Sequence, residues 1–76
     1  MPKGFPPDLK RRTVALLLAL EAADSIEELR NPSSNRLEKL VGDRSGQHSV
    51  RINKQWRICF SWTNEGAQNV EFVDYH

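Results

Sequence analysis

The side chains best suited to chemistry in this 76-residue chain are Arg57 and the closing triplet Asp74, Tyr75 and His76. An acid, a phenol and an imidazole directly extend an alternating apolar run, Asn69–Tyr75. Histidine is the side chain whose ordinary pKa lies nearest neutrality. Asp74 and the terminal carboxylate favour the protonated form of His76, and Arg57 opposes it. A guanidinium offers a planar fork of donors that suits a phosphate. Together these groups fit RNA cleavage by attack of a 2′-hydroxyl on the adjacent phosphate. That reaction needs a base for the hydroxyl proton, positive charge on the developing phosphorane and an acid for the leaving oxygen. The plainer alternative is that a terminal polar triplet frays and that strand arginines are solvated and paired with nearby acids.

Two alternating runs position Arg57. Val50 and Ile52 alternate with Ser49 and Arg51, and Trp56, Ile58, Phe60 and Trp62 alternate with Arg57, Cys59 and Ser61. Period two predicts a hairpin over Gln47–Trp62 with one buried and one open face. Asn53, Lys54 and Gln55 supply its turn. With the tryptophans and isoleucines inside, Arg51 and Arg57 stand side by side on the open face. His48, beside Ser49 on the first strand, reads as a surface or edge histidine.

The remaining elements follow from local signals. Pro7 and Asp8 suit a helix start, and Leu9, Leu16, Leu17 and Leu20 keep helical spacing, so a helix is predicted over Pro7–Ala23. Val14 and Leu18 widen its apolar side, and Lys10, Arg11 and Arg12 form a solvated basic turn. Ser25 with Glu28 reads as a capping box opening a second, short helix that ends at Asn31–Pro32. Arg36–Val41 is a short strand, Gly42–Gly46 a loop carrying Arg44, and Asn64–Gly66 the turn before the last strand. The expected fold is α+β in a single domain, residues 1–76: two N-terminal helices packed on one face of a small, mostly antiparallel β-sheet.

Composition narrows the function. A net charge of +1 argues against a nonspecific polyanion binder. The charges are nevertheless segregated. Glu21–Glu28 holds four acids and no base, whereas Arg30–Arg57 holds seven bases against two acids. That contrast predicts one basic surface and an acidic patch elsewhere. The single cysteine excludes an internal disulfide and a cysteine-rich zinc site, and fits a reduced, cytoplasmic protein. Two distant histidines lack ligand spacing, so no metal and no cofactor are expected. No signal peptide or membrane-spanning run is present.

The ordered pattern NRLEKLVGDR, SGQHSVRIN, QWRICFSW and VEFVDYH, with PPDLKRR and SIEELRNPSS before it, resembles the HigB-type toxins of the RelE/ParE superfamily from about Pro6 to His76. The resemblance implies a RelE-like fold and a metal-independent, ribosome-dependent endoribonuclease that cuts mRNA in the decoding site. It implies a HigA-type helix-turn-helix antitoxin as partner, with operator DNA bound only through the antitoxin complex, and no membrane. Carried over by motif, Arg57 stabilises charge on the scissile phosphate. Asp74, Tyr75 and His76 position RNA and move protons, and Lys39 and Arg44 hold RNA or ribosomal RNA backbone. Arg51 and Lys54 join that basic surface. The antitoxin is expected on the apolar helices and the acidic stretch Glu21–Glu28, away from the RNA surface.

Two departures stand out. Some members carry a catalytic histidine where this chain has Glu38, which leaves the general base open. Members also usually begin with an additional strand and a longer first helix. Two other readings therefore stand beside the nuclease: a ParE-like inhibitor of DNA gyrase that cleaves no RNA, and a shortened form that only binds antitoxin. Fold alone does not separate them.

Overall fold

The computed structural model describes residues 6–31 and 33–74. Tyr75 and His76 lie outside the described residues. A 3-10 turn, Pro7–Leu9, leads into helix α1, Lys10–Ala22. Two further 3-10 turns, Ile26–Arg30 and Ser33–Asn35, connect it to the sheet. Strands β1 (Glu38–Lys39), β2 (Gln47–Arg51), β3 (Trp56–Thr63) and β4 (Gly66–Asp74) form an antiparallel sheet in consecutive order.

The expected α+β class and antiparallel hairpins are present, but the second helix is not an α-helix. Its capping box forms: the backbone N–H of Ser25 donates to Glu28 Oε2 at 2.9 Å, and the Ser25 side chain caps in return. The segment then ends within five residues as Asn31 turns extended ahead of Pro32 (φ −115°, ψ 132°), the backbone that a following proline favours. It still delivers Leu29 to the core. The strand expected over Arg36–Val41 shrinks to Glu38–Lys39. Arg36, with φ of 45°, and Gly42, with φ of 71°, bend the chain at both of its ends.

Helix α1 buries Thr13, Leu16 and Leu20, and the two leucines share one core with Val50, Ile58 and Phe60. Val14 and Leu18 do not widen this stripe. They point away from it and stay exposed, because the sheet reaches only one side of the helix. Arg12 also departs from the solvated basic turn. Its Nε donates to the Ile52 carbonyl at 2.7 Å and its Nη2 to the Arg51 carbonyl at 2.9 Å. The side chain thus bolts α1 to the end of β2.

Strand β4 carries an irregularity. Cys59 pairs with Glu71 but Ser61 pairs with Gln68, so β4 fits one extra residue into that interval. Asn69 takes a φ of 54° there, as a bulge requires. The extra residue breaks the alternation expected across Asn69–Tyr75 and leaves Val70 exposed rather than in the core.

Candidate active site

Strand register assembles the site. Glu38 pairs with Ser49, Ser49 with Cys59, and Cys59 with Glu71. Directly opposed residues share a face, so these four form one row across the sheet on the side away from α1. The next row holds Arg51, Arg57 and Val73. The two arginines expected together are therefore direct cross-strand partners.

They do not stand on a fully open platform. Arg57 is only 8% exposed, and Ser49 and Cys59 are completely buried. Alternation predicted an open face here, but the turns bearing Arg36 and Arg44 fold over its near end and cover it. Arg57 Nε donates to Ser49 Oγ at 2.8 Å, and its Nη2 donates to the Arg36 carbonyl at 2.7 Å. Glu38 Oε1 sits 3.6 Å from the same Nη2. A guanidinium held this way is fixed in orientation and loses little freedom when it meets an anion.

The carbonyl that holds Arg57 comes from strained backbone. Arg36 occupies the left-handed region, which residues other than glycine rarely adopt. Its N–H donates to the Ser33 carbonyl at 3.0 Å. The buried amide of Asn35 donates to the carbonyls of Leu29 and Asn31 and fixes the preceding turn. Such strain costs on the order of 1–3 kcal/mol and persists where the surroundings enforce it, often at functional sites.

Arg44 and Arg51 border Arg57. Arg44 Nη1 lies 2.8 Å from Glu71 Oε2 and donates to Gln47 Oε1 at 3.1 Å. Arg51 Nε donates to the Asn53 carbonyl at 3.1 Å. Cys59, beneath them, has its thiol pushed up by burial first, with Glu71 adding and Arg44 and Arg57 opposing. A neutral buried thiol is neither a nucleophile nor a base.

The other expected site residues are placed differently. Lys39 pairs with His48, and so turns to the opposite side of β1 from Glu38. Lys54 is exposed in the β2–β3 turn. Asp74 pairs with Trp56, which puts it on the α1 side, while its neighbour Val73 stands opposite Arg57. Asp74 Oδ2 accepts from Gln55 Nε2 at 3.1 Å. Ser49 and the Arg36 backbone were not foreseen as parts of the site. The period-two pattern put Ser49 on the face of Arg51, and that was the available signal.

His48 belongs to the core side. Its ring stacks on Phe60 with centroids 6.2 Å apart, and its Nδ1 is buried without a hydrogen-bond partner among the described residues. Burial first, then Lys39 and Arg30, hold its pKa below the ordinary value. Among the described residues no cluster of histidine, cysteine and carboxylate side chains is arranged to hold a metal ion.

Residues 2–76 match the family described as the RelE-like toxin of the type II toxin–antitoxin system HigB. The chain belongs to the HigB-like toxin family. It is 37% identical over 72 residues to Toxin HigB-1 of Vibrio cholerae serotype O1, covering 95% of this chain and 75% of the relative. It is 38% identical over 73 residues to Endoribonuclease HigB of Proteus vulgaris, covering 96% and 78% respectively. An uncharacterised Haemophilus influenzae protein is 31% identical over 72 residues, covering 95% and 70%. A HigB-like toxin of a type II system has an antitoxin as its partner. Among the described residues, no helix is long and apolar enough to cross a membrane.

Proposed function

We propose that this HigB-like toxin is a ribosome-dependent endoribonuclease that cuts mRNA by 2′-hydroxyl attack on the neighbouring phosphate. The observation that carries the reading is the cross-strand pair Arg51 and Arg57 on the face away from α1, with Arg44 beside them. Like charges placed directly opposite each other destabilise a sheet. Ser49, the Arg36 carbonyl and Glu38 offset that cost at Arg57, and an incoming phosphate offsets it further. Arg57 then stabilises the charge that grows on the phosphorane. Arg44, Arg51 and Lys54 supply backbone attraction to mRNA and ribosomal RNA. Following the family motif, His76 and Tyr75 serve proton transfer and Asp74 helps position them. The name of the Proteus vulgaris relative, an endoribonuclease, supports the same chemistry.

The partner in this reading is a HigA-type antitoxin on the opposite side of the molecule. A groove between α1 and the β3–β4 turn is lined by Leu17, Leu20, Trp62 and Val70 together with Glu21, Asp24 and Glu65, and among the described residues no lysine or arginine lines it. A basic, partly apolar antitoxin segment suits that lining. The decisive experiment is primer extension on mRNA bound to programmed 70S ribosomes, with wild type beside Arg57→Ala. Cuts within the A-site codon that disappear in the variant support the nuclease. Intact mRNA in the presence of folded protein points instead to the gyrase-inhibiting or antitoxin-binding reading.

A further inference from the structure

We infer that the outer face of α1 is a self-association surface, and that its occupant is a second copy of this chain packed antiparallel against it. The stretch Val14–Ala22, VALLLALEA, carries one charged side chain in nine residues. A helix that is apolar all round is buried all round. The sheet covers only one side of α1. Leu16 and Leu20 are buried, whereas Val14 is 41% exposed and Leu18 59%. Ala15, Ala19 and Ala22 are exposed with them. At about 3.6 residues per turn, Arg11, Val14, Leu18 and Glu21 fall along the side of the helix that faces away from Leu16 and Leu20.

Two properties of this row select the occupant. Its ends are opposite in charge, with Lys10 and Arg11 at the N-terminal end and Glu21 at the C-terminal end. None of the three has an ion-pair partner among the described residues. The row is also symmetric about Leu16: Arg11 and Glu21 each stand five residues from it, and Val14 and Leu18 two. A two-fold axis beside the middle of α1 therefore sets Arg11 of one copy on Glu21 of the other, twice, and Val14 on Leu18, twice. One patch complements itself, as an isologous contact requires. Parallel packing would oppose like charges at both ends. A uniformly basic partner is repelled at Arg11 and a uniformly acidic one at Glu21.

The local shape agrees with this pairing. A cleft at the N-terminal end of the row is lined by Pro7, Asp8, Lys10, Arg11 and Val14. With two bases against one acid, it suits the last turn of the other copy's α1 and its Glu21. Ala15 and Ala22 flank the row, and side chains this small let two helix axes approach closely. The row runs roughly 16 Å along the helix, which is short for a standard protein interface. The dimer is accordingly weak, with Kd on the order of 0.1 mM. The groove assigned above to the antitoxin lies on the neighbouring flank of α1, with Leu17 and Leu20.

The test is sedimentation velocity on the 76-residue chain from about 10 µM to about 1 mM, with each variant first shown folded by circular dichroism. Wild type passes from monomer to dimer across the series. Leu18→Gln keeps a good helix former but removes the apolar centre of the row, and weakens association by about tenfold or more. Arg11→Glu weakens it by about as much, because carboxylates then meet at both ends. Combining Arg11→Glu with Glu21→Arg exchanges the two charges, leaves the net charge unchanged and restores the wild-type constant. A wild type that stays monomeric throughout overturns the inference. Association that survives both Leu18→Gln and Arg11→Glu overturns it too, since another surface then carries the contact. Association that Arg11→Glu weakens and the double variant fails to restore overturns the antiparallel pairing. A monomeric wild type whose antitoxin binding is lost in Leu18→Gln overturns it in favour of the antitoxin as occupant. None of these readouts involves mRNA cleavage, so the inference stands or falls apart from the nuclease reading.

Discussion

Arg57 Nε donates to Ser49 Oγ at 2.8 Å, so a hydroxyl on β2 aims the cation on β3. The bond is buried, and a buried hydrogen bond to a charged group resists loss more than a surface ion pair does. It leaves the Nη2 end of the guanidinium toward the Arg36 carbonyl and Glu38.

Arg57→Ala should lower single-turnover mRNA cleavage by about 100-fold, the usual cost of losing a transition-state donor. Arg57→Lys should recover little of it, because an ammonium cannot reach Ser49, Arg36 and a phosphate at once. Ser49→Ala should cost about tenfold, the equivalent of one charged hydrogen bond, since Arg57 keeps its other partners. Primer extension over a time course measures all three. A Ser49→Ala variant cutting at the wild-type rate would show that Arg57 needs no such aim.

The strands and the apolar stripe were legible in the sequence, because period two and helical spacing are local signals. Arg51 opposite Arg57 followed from the hairpin and its turn residues. The burial of Arg57 was not legible, since the groups that cover and bond it come from Arg36 and Glu38, some twenty residues earlier. Arg12 failed for the same reason. Lys10, Arg11 and Arg12 look alike in a helical turn, and only the end of β2 singles out the third. The bulge at Asn69 left no pattern that alternation could detect.

Arg12 should therefore behave as a core residue. Arg12→Ala removes two donors to strand-end carbonyls and should destabilise the fold by about 2 kcal/mol. In a domain of this size each kcal/mol lowers Tm by about 4–8 °C. Lys10→Ala and Arg11→Ala, whose side chains are exposed, should melt with wild type. Thermal denaturation by circular dichroism separates the three, and equal melting of all of them would remove the clamp.

Arg44→Ala and Lys54→Ala should weaken ribosome association, with the loss growing as salt falls. Each lost phosphate contact on single-stranded RNA reduces the slope of log affinity against log salt by about 0.7. Arg44→Ala also leaves Glu71 without its 2.8 Å partner, adding repulsion toward the backbone. Binding measured across a salt series reads both effects, and parallel salt plots for wild type and variants would take these side chains off the RNA surface.

Antitoxin binding should respond to the opposite side of the protein. Replacing Glu21 and Asp24 with lysine reverses the charge at the rim of the α1 groove and should weaken antitoxin affinity by about tenfold or more. Cleavage of ribosome-bound mRNA should stay unchanged, because neither residue lies on the arginine face. Calorimetric titration with the antitoxin, run beside the cleavage assay, tests the separation. Loss of cleavage without loss of binding would place the two surfaces the other way round.

His48 should set part of the pH dependence of stability. In the folded protein its pKa lies below the ordinary 6.5, through burial first and then Lys39 and Arg30. Unfolding releases the ring from all three. Below 6.5 the unfolded chain therefore binds a proton that the folded chain refuses, and unfolding gains ground as pH falls. The stabilising contribution is complete above 6.5 and is lost as pH falls through the folded value. The ring's contact with Phe60 and its buried Nδ1 explain why the protonated form is disfavoured there. Tm of wild type should decline from about pH 7.5 toward pH 5, and His48→Gln should decline less over the same window. Parallel curves for the two proteins would mean that His48 gains its proton as easily folded as unfolded.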